Sequence, residues 1–113
     1  MADPVAQLDR VLRTAEANRD DDLADVLRLV AQPSISAQNI GVRECAALEE
    51  SLLRKAGLET RVLETSAHPM VYGERLGAPG KPTVLFYPHY YVQPTIRAIP
   101  SPFARAPMHY LLI

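Results

Sequence analysis

The apolar positions at the start of the chain recur at helical spacing. Asp3-Pro4 reads as a helix start, with Asp as cap and Pro in the first turn. Val5, Leu8, Leu12 and Ala15 follow on one face. Asn18 and Arg19 interrupt the stripe, and the run Asp20 to Asp22 predicts the cap of a second helix, where carboxylates suit the positive end of the helix dipole. Leu23, Val26, Leu27 and Val30 form its apolar stripe, and Pro33 ends it. The polar segment SISAQN reads as a loop. A third helix is predicted from Gly41 to Ala56. Its buried face would be Cys45, Leu48, Leu52, Leu53 and Ala56, with Gly57 reversing the chain at its end.

Beyond Gly57 the pattern changes to that of strands. LETRVLET (58–65) and PMVYGERLG (69–77) read as two strands, and GAPGKP as a turn. TVLFY (83–87) is apolar on both faces, which predicts a central strand covered on both sides. The resulting order is α-α-α-β-β-β. It predicts an α/β fold, N-terminal helices followed by the strands of a partial mixed sheet. Residues 1–94 form the patterned part, and residues 95–113 an irregular divergent tail.

Composition adds an asymmetry. The chain has 113 residues and a net charge of −1, which gives no reason to expect nucleic acid or an anionic membrane as partner. All 13 acidic residues lie between Asp3 and Glu74; the rest of the chain has Arg75, Lys81, Arg97 and Arg105 but no carboxylate side chain. Seven of the ten prolines fall from Pro79 onward, so the chain changes character near residue 78. The single cysteine, Cys45, sits on a helix face, excludes an intramolecular disulfide and points to a reducing cytoplasm. No stretch reaches the ~20 apolar residues that span a bilayer, and the N-terminus has no signal-peptide pattern.

The segment FYPHYYVQP (86–94) carries the candidate chemistry. In an H-x-D segment at a strand end, histidine and aspartate share a side. The aspartate can then accept one ring N–H and leave the other nitrogen as a metal ligand. His89-Tyr90-Tyr91-Val92-Gln93-Pro94 resembles the H-Y-D-V-Q-P segment of the zinc metallopeptidase family of carnosine-type dipeptidases, glutamate carboxypeptidase and acetylornithine deacetylase. LRLVAQPSIS resembles that family's early helix and loop, and CAALEESLLRKAGLETRVLET its next helix and strand. HPMVYGERLG and KPTVLFY resemble the two strands leading to the metal. The resemblance covers about residues 20–94, the opening part of a family catalytic domain.

What the resemblance implies is specific. His89 takes the place of a ligand to one of two zinc ions, Tyr91 that of the aspartate orienting it, and Pro88 that of a glycine. The family's bridging aspartate, catalytic glutamate and remaining ligands come after this segment, where this chain has no acidic residue; His109 matches no family ligand segment. The expectation is therefore a truncated member of a family that hydrolyses the peptide or amide bond of dipeptides or N-acyl amino acids. This chain would form an incomplete catalytic domain, hold zinc without tight binding, and be inactive alone. The alternative is a non-catalytic fragment that associates with another chain, or with itself, through exposed sheet edges. His68 and the two tyrosines read as loop and packing residues.

Overall fold

Residues 3–93 are described by a computed structural model, and the chain divides into two compact units, Met1–Gln32 and Pro33–Ile113. The first unit is one helix, α1 (Pro4–Ala31). Asp3 caps it, its carboxylate accepting from the Val5 N–H at 3.0 Å, with Pro4 in the first turn, as the sequence predicts. The expected break at Asn18–Arg19 is absent, and the helix runs through Asp20–Asp22. Neither Asn nor Arg forbids a helix. Each costs only a few tenths of a kcal/mol against alanine, whereas Pro or Gly costs ~1–3. The two apolar stripes are also in phase: Leu12 and Leu23 stand eleven residues apart, three turns plus ~20°. Arg19 joins the halves, 3.5 Å from Glu16 and 3.7 Å from Asp20. At the C-terminus the Gln32 N–H bonds the carbonyls of Arg28 and Leu29, and Gln32 itself is extended, as a residue before proline prefers. No residue of α1 is buried.

The second unit opens with a loop pinned by two hydrogen bonds between Ile35 and Ile40, of 2.9 and 3.1 Å, around a 3-10 turn (Ser36–Gln38). Gly41 follows with φ +65°. A Cβ there would stand 2.0 Å from the Pro33 carbonyl oxygen, so only glycine fits. The helix α2 (Val42–Lys55) starts immediately after it. Val42, Cys45 and Ala46 are fully buried. Leu48, Leu52 and Leu53 are half-buried, and Ala56, expected on the buried face, is exposed. Gly57, at φ +86°, reverses the chain, and the Leu58 N–H bonds the Leu53 carbonyl at 3.1 Å.

Strands β1 (Glu59–Leu63) and β2 (Met70–Glu74) pair antiparallel, with Arg61 opposite Tyr72 and Val62 opposite Val71. α2 packs on both strands. Gly73 lets it come close, since a Cβ there would lie 3.1 Å from Leu58 and 3.3 Å from Leu53 side-chain atoms. Arg43 at the start of α2 grips Glu64, the residue after β1, through two 2.9 Å bonds. The guanidinium holds the Glu64 carboxyl below its ordinary range, and the Arg43 pKa is raised in return.

The fold is thus a small mixed α/β arrangement, with helices ahead of strands as the pattern predicts. The described sheet is two-stranded and antiparallel. The third strand predicted at 83–87 does not form: the segment has no strand assignment, and Leu85 and Phe86 are 87% and 83% exposed. A run apolar on both faces becomes a central strand only when a strand lies on each side and layers cover it. Among the described residues no strand pairs with this one. The divergent tail expected at 95–113 lies outside the described residues. Among the described residues no helix is long and apolar enough to cross a membrane.

Candidate metal site

The segment carrying His89 is fixed by its even-numbered residues. The Val92 N–H donates to the Ser34 carbonyl at 2.9 Å, and Val92 bridges Ile35 in parallel. The Tyr90 carbonyl accepts from the Cys45 thiol at 3.3 Å, and the Tyr90 hydroxyl donates to the Pro69 carbonyl. Tyr90 is therefore held by α2 at its backbone and by the β1–β2 connection at its ring. The rings of His89 and Tyr91 then lie close together. Their ring centroids are 5.2 Å apart and tilted by 46°.

Further rings extend this cluster. Tyr87 meets His89 edge-on at 5.8 Å, and His68 lies 6.2 Å from Tyr91. His68 is itself positioned, its Nε2 donating to the Ser36 carbonyl at 3.0 Å. Thr65 holds the loop around it, donating 2.7 Å to the His68 carbonyl and accepting from the Ala67 N–H at 3.1 Å. The sequence reading of His68 as a loop residue gave no hint of its place beside Tyr91. The only signal was its position directly before Pro69, whose carbonyl Tyr90 uses. His89 and Tyr91 are exposed, and Tyr90 is half-buried.

Beneath the segment lies a buried polar group of side chains. Ser34 and Cys45 are buried; burial pushes the Cys45 thiol up, a hydrogen bond from Ser34 works against it, and the nearby Glu49 charge adds to the rise. Glu49 stands one helical turn after Cys45. Among the described residues its Oε2 is buried without a hydrogen-bond partner, and burial raises its carboxyl above the ordinary range. Tyr90 is pushed up as well, first by burial and then by Cys45 and Glu49. Glu49 carried no role in the sequence reading, although the spacing 45, 49, 52 places it on the inner face of α2.

Among the described residues the ligand set of the zinc centre that the resemblance implies is not assembled. A catalytic zinc takes three protein ligands and keeps one position open. Among the described residues no three His, Cys, Asp or Glu side chains converge. The ring neighbours of His89 are tyrosines, and His109 lies outside the described residues. Tyr91 occupies the side where an aspartate would orient the imidazole, but a phenol brings no carboxylate to that place. Comparison of the chain with protein-family models, with curated proteins and with solved structures finds no match.

Proposed function

We propose that the chain carries the opening segments of the catalytic domain of a zinc-dependent dipeptidase or amidohydrolase, and that these residues alone do not hydrolyse a peptide or N-acyl amide bond. One observation supports the reading: the His89 and Tyr91 rings lie 5.2 Å apart between centroids, on a segment that follows a helix and two strands in the chain. In the H-x-D pattern the aspartate next to the histidine orients it, and tyrosine stands in the aspartate's position here. His89 would donate a single bond to zinc, of the two ions the resemblance implies. Hydrolysis needs further ligands and a base for the metal-bound water, and no Asp or Glu follows Glu74. The free, buried Cys45 fits a reducing cytoplasm. The test is dipeptide hydrolysis by the purified chain with added zinc. No turnover is expected; turnover that disappears in His89→Ala would overturn the reading.

A second reading is favoured by the exposed apolar run Val84–Tyr87 and the two-stranded sheet. A chain of this kind would serve as a non-catalytic fragment that pairs with another chain through its sheet edges. Amide exchange along 59–63, 70–74 and 83–87, measured across a dilution series, tests it. Protection of 83–87 that rises with concentration is expected, and protection that stays constant would discard it.

A further inference from the structure

The helix α1 carries one apolar stripe along its whole length, and that stripe is exposed: Val5, Leu8 and Leu12 in the first half, Leu23, Val26 and Val30 in the second. The spacing of Leu8, Leu12 and Ala15 returns eleven residues later at Arg19, Leu23 and Val26. Eleven residues make three turns with ~20° to spare, so the stripe stays nearly parallel to the axis over about 42 Å. Arg19 interrupts it at its centre. At 3.6 residues per turn Asp9, Arg13, Glu16 and Asp20 lie along one flank of the stripe, whereas Arg10, Asp21 and Arg28 lie on the opposite face.

These charges select the occupant and its direction. A parallel second copy would set Arg19 against Arg19 and would leave Arg13 seven residues along the axis from Asp20 of the other copy. An antiparallel copy, centred between Ala17 and Asn18, sets Val5 opposite Val30, Leu8 opposite Leu27 and Leu12 opposite Leu23. It brings Arg19 to Glu16 of the other copy, and Arg13 to the flank that carries Asp20. The face is self-complementary, as a twofold interface requires. We propose that α1 is a self-recognition helix, through which two copies of the chain pair antiparallel. The pairing uses neither His89 nor the sheet edges, so it stands or falls independently of the proposed function.

Sedimentation equilibrium of the full chain over a wide concentration range tests this. A monomer–dimer equilibrium is expected. Asp20→Arg, and separately Arg13→Asp, should weaken it on the order of tenfold, since each change turns two symmetry-related attractions into repulsions. Combining the two should restore it, because the pair is re-formed with its signs exchanged. Leu12→Asp with Leu23→Asp should leave only monomer. A wild-type chain that is monomeric throughout would overturn the proposal. So would association that persists in the double leucine variant, as sheet-edge pairing would, or that is indifferent to the charge reversals.

Discussion

The Cys45 thiol donates to the Tyr90 carbonyl oxygen at 3.3 Å, joining α2 to the His89 segment across 45 residues of chain. Cys45 is 1% exposed, and burial raises its thiol pKa. A group whose pKa is raised on folding stabilises the fold fully below the unfolded thiol's pKa, and that contribution is lost as pH rises through the folded value. Stability should therefore fall on the alkaline side, and Cys45→Ala should remove that part of the decline. The variant should also cost about 1 kcal/mol at neutral pH through the lost contacts and hydrogen bond. Alkylation by iodoacetamide should be slow in buffer and fast in urea. Equal rates in the two would show that the thiol is not held inside.

Tyr90 contributes the second tie, through its hydroxyl to the Pro69 carbonyl. Tyr90→Phe keeps the ring and removes that bond. A loss of about 0.5–1.5 kcal/mol is expected in urea unfolding. The ring of Tyr91, 5.7 Å from that of Tyr90, should also move, and the His89 ring with it. Proton NMR shifts of the His89 ring would report the change; unchanged shifts would mean that His89 is positioned without Tyr90.

Gly41 is the least replaceable residue of the loop before α2. Its φ is +65°, and a Cβ would lie 2.0 Å from the Pro33 carbonyl oxygen, which is backbone and cannot swing away. Gly41→Ala should destabilise by about 2–4 kcal/mol, more than the ~1–2 kcal/mol of left-handed strain alone. A thermal midpoint within a degree of wild type would mean that the loop takes another path.

Local rules made much of this fold legible. Asp3-Pro4 announced the start of α1, Gly57 the end of α2, and the change of period after it the two strands. What failed were readings that depend on neighbours. Asn18, Arg19 and the aspartates after them resemble a helix boundary, yet two stripes in phase cost little to join. TVLFY has the composition of a central strand, but composition does not supply the strands that must flank it. At the candidate site the H-x-D spacing marked residues 89 and 91 as neighbours in one site, and their rings lie 5.2 Å apart. It did not foretell His68 beside Tyr91 or the Glu49 oxygen that is buried without a partner among the described residues, because both arise from contacts between segments distant in sequence.

Glu49 gives a prediction with the sign opposite to that of an ordinary ion pair. Burial raises its carboxyl pKa, so its contribution is most favourable below the ordinary carboxylate pKa and is lost as pH rises through the folded value. Glu64 behaves in the reverse sense. Its carboxyl is lowered by Arg43, and the stability it brings is lost as pH falls. Glu49→Gln isolates the first effect. The variant should have a higher urea midpoint than wild type near neutrality, and the difference should close on acidification. A variant less stable than wild type at neutral pH would mean that the buried oxygen has a partner the charge is needed for.

The last prediction concerns the position next to the imidazole. The His89 and Tyr91 ring centroids are 5.2 Å apart, so Tyr91→Asp places a carboxylate near the imidazole, where a histidine ligand's other N–H can be held. Loss of such an orienting group typically costs ~10–100-fold in metal affinity. Restoring it should tighten zinc binding in that range, read by competition with a chromogenic chelator. His89→Ala should remove the gain in the same background. Hydrolysis of dipeptides should stay undetectable in both, because a second-position carboxylate orients one ligand and supplies neither the other ligands nor the base. If Tyr91→Asp leaves zinc affinity unchanged while the fold is intact, the nearness of the rings at 89 and 91 is a matter of packing and nothing more.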